Sequence, residues 1–337
     1  MKRTFVASMM ALGVAASLFA AIEHELGDTL PLGAIFTAPT IEALANLLEA
    51  DDMQSRWTSL VPIQPAGTEP PIFCVHGGAG TILHLEPLAR RLGSEQPFYG
   101  LQSRGLYGGV LVAPATVEEM ASHYLSEMRQ VHRGGPWRLA GYCFGAIVAF
   151  EMAQRLLADG EKVELLAMFN GPSPIWIRRW GWYANQPSKR VSRPAPVRFT
   201  RKQRLERQLA RFRRALREPH RFTTSLVWYS RRVGGQRRTR IALALGRPLP
   251  EEAREEYFLR LHAKAERVYE PKPYNGDLLV FFGERLYEDP QLGWGGLATG
   301  EIRAYAVPGS HDNNRQAMME PYVAFVSERL QAHLARK

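Results

Sequence analysis

From residue 72 onward, short apolar runs alternate with longer amphipathic stretches. Ile72–Val75, Phe98–Leu101, Trp137–Ala140, Val163–Phe169, Leu278–Phe282 and Ile302–Val307 have the length and bounding turn residues of strands. Between them, Leu83–Leu92, Val117–Val131, Ala146–Ala158 and Pro321–Leu334 carry apolar residues at helical spacing. Gly160 supplies the stop after the third of these helices. Strand and helix in alternation predict an α/β fold, a mostly parallel sheet with helices on its faces.

The first 70 residues follow a different pattern. Met1-Lys2-Arg3 ahead of the apolar stretch Phe5 to Ala21 has the outline of a signal peptide. The next residues favour another reading. Ala20-Ala-Ile-Glu-His-Glu-Leu-Gly27 reads as the end of an amphipathic helix, and Pro39-Thr40-Ile41 opens a further helix through Leu44, Leu47 and Leu48. This run resembles the second half of a phosphopantetheinyl carrier domain from an assembly-line synthetase. The serine that would bear the phosphopantetheine falls near Leu12, so residues 1–50 read as a partial carrier segment that cannot be primed. Residues 51–70, with Pro62, Pro65 and Pro70, read as a linker.

Composition narrows the classes. A chain of 337 residues that is 45% hydrophobic and 10% aromatic can bury a core. Two cysteines cannot staple a fold of that size, which excludes a disulfide scaffold and points to a reducing, cytoplasmic setting. No apolar run after residue 30 has the ~20 residues of a membrane span, so no membrane is expected. The net charge of +10 is concentrated: residues 171–250 hold 21 Lys and Arg against Glu206 and Glu218, leaving the rest of the chain at −9. Such an insert is either a solvated helical face or a surface for an acidic or phosphate-bearing partner. Nucleic acid is not expected, because its aromatics fall at helical spacing and no recognition motif is present.

Four segments carry chemistry. Gly141-Tyr-Cys143-Phe-Gly145 stands between a strand and a helix, the context of a nucleophile elbow, with Cys143 in the nucleophile slot. His76-Gly-Gly-Ala-Gly80 follows the first core strand and can supply a backbone donor to an oxyanion. Gly78 and Phe144 are the two expected donors, and His76, which precedes the loop, reads as structural. His311, on the loop after the last strand, is the candidate base. The strand Val163–Phe169 ends at Asn170, 27 residues after Cys143, where an orienting acid would stand. An amide carbonyl can still accept the imidazole N–H, and a thiol demands less activation than a hydroxyl. Asp289, after the Leu278–Phe282 strand, is the rival orienting acid, and Glu284 a poorer one. The chain has no metal-ligand cluster and no phosphate-binding loop.

Taken together, Phe73-Cys-Val-His76, Gln96-Pro-Phe-Tyr-Gly-Leu-Gln102, the elbow with Ala149-Phe-Glu-Met-Ala153, Asp289-Pro with Leu292-Gly-Trp294, and Val307-Pro-Gly-Ser-His311 resemble the terminal thioesterase domains of nonribosomal peptide and polyketide synthases. The resemblance covers about residues 70–337 and implies the α/β-hydrolase fold. It implies a lid between the strand ending at Asn170 and the next, here residues 172–268, with helical stretches such as Lys202 to Arg217 and Glu251 to Arg267. It also implies release of an acyl or peptidyl chain from a carrier domain, by hydrolysis or cyclisation. No cofactor is bound by the domain itself; the substrate rides on the carrier's phosphopantetheine. Cys143 for serine and Asn170 for the acid are departures from the family pattern. Three other readings share some of these residues: a dienelactone-hydrolase-like enzyme, a cysteine polyester synthase, and a decayed synthetase fragment without activity.

Overall fold

The computed structural model describes residues 18–19, 21–22, 25–26, 34–38, 40–49, 58–106, 114–180, 249, 251–283, 289–309 and 316–336. Two short helices come first, α1 (Ala34–Thr37) and α2 (Ile41–Leu48), the second capped by the Thr40 hydroxyl accepting the Ala43 amide. Strand β1 (Leu60–Gln64) and strand β2 (Ile72–Val75) follow. Next are α3 (Glu86–Arg91), β3 (Phe98–Leu101), α4 (Val117–Val131), β4 (Trp137–Tyr142), α5 (Gly145–Ala158) and β5 (Val163–Phe169). After β5 come α6 (Pro174–Trp180), α7 (Glu251–Val268), β6 (Leu278–Gly283), β7 (Ile302–Val307) and α8 (Tyr322–Leu334). Leu12, Glu284, His311 and the stretch Lys202 to Arg217 lie outside the described residues.

The strands form one sheet in the order β1-β3-β2-β4-β5-β6-β7. Only β1 runs antiparallel; the other five pairings are parallel. This is the mostly parallel, helix-flanked sheet of an α/β-hydrolase. Every residue of β2, β4 and β6 is buried, as expected for parallel strands covered on both faces. Two apolar layers do the covering. One packs α4 and α5 with Trp137, Phe150 and Trp294; the other packs α3 and α8 with Phe98, Phe169 and Phe281. Helix α4 is fixed at its start by a capping box between Thr116 and Glu119.

The stretch read as a linker, residues 51–70, contains strand β1 and is corrected accordingly. Pro62 sits inside it, tolerated because β1 is an edge strand with one unpaired side. The run Leu83–Leu92 is split into a 3₁₀ turn, Leu83–Leu85, and the short α3.

Parallel register brings the carboxyl ends of the central strands to one edge. Val75 pairs with Gly141, Tyr142 with Phe169, Phe169 with Phe281, and Gly283 with Val307. The residues that follow β2, β4 and β5 are His76, Cys143 and Asn170. Open α/β sheets place ligand sites along such an edge.

Candidate active site

Strand β4 turns into α5 through Cys143, whose φ is +55°. A non-glycine residue in that left-handed region is strained and needs a surrounding structure that enforces it. The enforcement is visible. The Cys143 amide donates to Phe169 O at 2.8 Å, and the Cys143 carbonyl accepts the Ala146 amide at 3.1 Å. The two glycines of the motif are demanded by backbone proximity. A Cβ on Gly141 would sit 2.2 Å from Gly145 O, and one on Gly145 would sit 2.3 Å from His76 O. The chain passes from strand to helix with no room for a side chain on either flank, and Cys143 alone projects at the bend. Its side chain is half-buried. The second cysteine, Cys74, is different: it is fully buried in β2, and burial pushes its thiol up and out of the reactive range. Neither cysteine is in a disulfide.

The loop after β2 lies against this bend. A Cβ on Gly77 would be 3.8 Å from Cys143 Cβ and would strike the Tyr142 ring. His76 is fully buried behind the loop, with Nδ1 2.6 Å from Gly77 O and Nε2 2.7 Å from the Tyr124 hydroxyl. A carbonyl oxygen only accepts, so Nδ1 carries the proton and Nε2 accepts from Tyr124. Desolvation, followed by the neighbouring His262, holds the His76 pKa well below the usual histidine value. His76 is therefore a neutral strut under the loop. Phe144, the residue after Cys143, packs its ring on His262 of α7 at 4.6 Å with the planes 13° apart.

Asn170 follows β5 directly beside the bend. It is fully buried with φ +50°. Its backbone amide donates to Phe281 O at 2.7 Å, and its side-chain carbonyl accepts the Gly283 amide at 2.8 Å. A Cβ on the next residue, Gly171, would fall 2.7 Å from Cys143 O, so this loop and the elbow are in backbone contact. Asp289 lies in a turn. Its two carboxylate oxygens accept the Gln291 amide at 2.9 Å and the Gly293 amide at 2.7 Å. That turn holds Leu292 at φ +51°, and Trp294 beyond it donates from Nε1 to Gly171 O at 2.8 Å. Asp289 thus braces the segment that carries Asn170. Cys143, Phe144, the Gly77–Gly78 loop and Asn170 are brought to one edge of the sheet, and β7 runs to that edge before the segment with His311.

One residue at this site escaped sequence reasoning. His262 of α7 places Nδ1 2.7 Å from Gly78 O and Nε2 3.2 Å from the Ser103 hydroxyl. A signal existed: Phe258, His262, Ala265 and Tyr269 form a buried stripe at helical spacing, and a histidine inside it requires hydrogen-bond partners. Their identity was not readable, because Gly78 lies 184 residues away.

A family model described as "Thioesterase domain" matches residues 70–323. A dimodular nonribosomal peptide synthase of Bacillus subtilis (strain 168) is 38% identical over 157 residues, 47% of this chain and 7% of that protein. Indigoidine synthase of Dickeya dadantii (strain 3937) is 40% identical over 161 residues, 48% of this chain and 11% of that protein. The chain therefore spans a small part of the curated relatives it matches. Among solved structures, a four-domain nonribosomal peptide synthetase bound to AMP and glycine superposes with a TM-score of 0.61 at 22% identity, covering 94% of this chain and 23% of that one. The NocB thioesterase domain from the nocardicin cluster superposes with a TM-score of 0.55 at 19% identity, covering 82% of this chain and 99% of that one.

Proposed function

The chain belongs to the thioesterase domain family, and on that premise we propose that it releases an acyl or peptidyl chain from a phosphopantetheinyl carrier through an acyl-enzyme on Cys143. The observation that carries this reading is the half-buried Cys143 held at φ +55° on a turn whose flanking glycines admit no side chain.

A base, His311 in this proposal, takes the Cys143 thiol proton, and the thiolate attacks the thioester carbonyl. The backbone amides of Gly78 and Phe144 receive the oxyanion, each such donor being worth ~3 kcal/mol in comparable sites. The bond to the pantetheine sulfur breaks, and the base returns its proton to that sulfur. The chain now rests on Cys143 as a second thioester, so little acyl activation is lost. Attack by water, or by an amine or hydroxyl within the chain, then breaks the bond to Cys143 and gives a free acid or a ring.

Asn170 is the orienting group in this reading. Its place beside the elbow supports it, as does the engagement of both Asp289 oxygens by backbone amides. The basic stretch within residues 171–250, as part of a lid over residues 172–268, would receive the acidic carrier and its phosphate. Residues 1–50 are proposed as a carrier-like segment ahead of the thioesterase body, whose sheet already includes β1 from Leu60. The wider coverage of this chain by the four-domain synthetase than by the isolated domain supports that assignment. No helix among the described residues is long and apolar enough to cross a membrane. A cytoplasmic setting, where both thiols stay reduced, suits the mechanism.

The test is intact-protein mass spectrometry after addition of acyl-pantetheine thioesters. The expected result is one acyl adduct that Cys143→Ala abolishes. An adduct that survives Cys143→Ala, or none with the unaltered protein, overturns the assignment.

A further inference from the structure

Glycine in the oxyanion loop poses a physical problem. A backbone donor preorganised for an oxyanion has to be held still, yet glycine has the freest backbone of any residue. Planar peptide units offer the solution: fixing a carbonyl oxygen fixes the N–H on the other side of the same plane. The Gly78 amide shares its plane with the Gly77 carbonyl, which accepts from His76 Nδ1 at 2.6 Å and from the Gly80 amide at 2.9 Å. The following plane carries the Gly78 carbonyl and the Ala79 amide; there the carbonyl accepts from His262 Nδ1 at 2.7 Å, which stops rotation at the Gly78 Cα from the side that His76 does not reach. Gly78 is therefore pinned on both sides by histidine N–H donors.

These two donors differ in origin. His76 belongs to the loop itself, whereas His262 comes from α7, across 184 residues of chain. Its ring packs against both His76, 4.8 Å away, and Phe144, 4.6 Å away. One imidazole thus touches both segments that supply oxyanion donors. The Gly78 carbonyl only accepts, so Nδ1 carries the proton, and the neutral ring's Nε2 accepts from the Ser103 hydroxyl at 3.2 Å. Helix α7 covers the loop further through Leu259, whose Cδ2 would lie 3.1 Å from a Cβ on Gly78.

We propose that His262 is a positioning residue for acyl transfer: from α7 it locks the Gly78 peptide, so the oxyanion hole is complete only while α7 is seated on the loop. This rests on the covalent thioesterase reading above and adds to it a link between the helix and the chemistry. Because the effect acts on the developing oxyanion, loss of the donor lowers the rate of acylation and leaves ground-state binding alone.

The experiment measures acylation of Cys143 by octanoyl-pantetheine with rapid quench and mass spectrometry, over a range of thioester concentrations, on the full chain. Three variants separate the roles. His262→Phe keeps the stack on Phe144 and loses the donor. His262→Gln keeps an amide near Ser103 but not at the Nδ1 position. His262→Asn keeps an N–H close to where Nδ1 stands. The expected result is a fall of about tenfold or more in the maximal rate for His262→Phe and His262→Gln, with the half-saturating concentration unchanged. His262→Asn should stay within about threefold of the unaltered protein. Equal rates for His262→Phe, His262→Gln and the unaltered protein would overturn the inference, as would an Asn variant as slow as the Gln variant. If the unaltered protein takes no acyl group on Cys143, the covalent reading fails and the inference with it. If it is acylated normally while the variants match it, only the role of His262 fails.

Discussion

The side-chain carbonyl of Asn170 accepts the backbone amide of Gly283 at 2.8 Å, joining the carboxyl ends of β5 and β6. Asn170 is fully buried and held at φ +50°. Truncating it to alanine leaves the Gly283 amide without this acceptor, a loss of about 1–3 kcal/mol, and forces a β-carbon to keep a left-handed backbone without a polar side chain to help. A carboxylate could accept the same bond. Chemical denaturation should therefore rank Asn170→Ala well below the unaltered protein, with Asn170→Asp between the two. An alanine variant as stable as the parent would mean that the bond contributes nothing net.

Nucleophile and orienter should be energetically coupled. A thiol ionises near neutrality with little help, so an amide suffices to hold the imidazole; a serine hydroxyl needs the imidazolium stabilised by a negative charge. Cys143→Ser alone should lose about 100-fold or more in kcat/KM for an acyl-pantetheine thioester. Adding Asn170→Asp should recover at least about tenfold of that loss, while the same change on the cysteine background gains far less. A double-mutant cycle in which aspartate helps neither nucleophile would remove Asn170 from the catalytic group and return the question to another residue.

Two buried histidines beneath the Gly77–Gly78 loop make the fold sensitive to acid. Desolvation lowers the His262 pKa to about 4, offset in part by its bond to Gly78 O, and desolvation together with the neighbouring His262 holds that of His76 well below the usual histidine value. Both folded-state values lie below the unfolded one, so the unfolded chain binds more protons as pH falls from about 6.5. Stability is fully present above that pH and is lost on the way down to about 4. For His262 alone the folding equilibrium should weaken by about tenfold per pH unit in that window. Urea unfolding followed across the window should give a shallower dependence for His262→Asn, which has nothing to titrate. Identical slopes for the two proteins would show that His262 does not stay neutral in the fold.

Much of this was legible from the chain alone, for reasons that can be named. Strands β4 to β6 announce themselves because parallel central strands are buried on both faces and read as mainly apolar runs, interrupted in β4 and β5 only by Arg138 and Glu164, which pair with each other at 2.6 Å. The elbow is legible because Gly141 and Gly145 are needed for backbone contact within a few residues of sequence. Strand β1 was hidden by Pro62 within it and by Pro65 and Pro70 after it; proline marks turns in general but is tolerated in a strand at a sheet edge. Asp289 is legible as a candidate acid by its position, but its place in the turn of Asp-Pro-Gln-Leu-Gly, with both oxygens accepting backbone amides, is not. A carboxylate that caps a turn and one that orients an imidazole have the same sequence signature. His262 lay furthest from reach, since its meaning depends on a partner that only the folded chain brings near.

The glycines around the site sort into two kinds, and the difference is testable. A Cβ on Gly145 would meet His76 O at 2.3 Å and Val75 O at 2.5 Å. Both are backbone atoms of fully buried residues at the end of β2, with little room to move. Gly145→Ala should push α5 away from the sheet, cost about 3 kcal/mol or more, and take the Cys143 bend with it. Gly78 faces only the end of a flexible, half-exposed Leu259, at 3.1 Å. That side chain can yield by a few tenths of an ångström, and alanine keeps the backbone N–H. Gly78→Ala should therefore cost less than about 1 kcal/mol and leave acylation of Cys143 within a few-fold of the parent. Thermal unfolding and single-turnover acylation on the two variants check the contrast. A stable, active Gly145→Ala protein would mean that the helix does not rest on the carboxyl end of β2, and that the tight approach which exposes Cys143 is wrong.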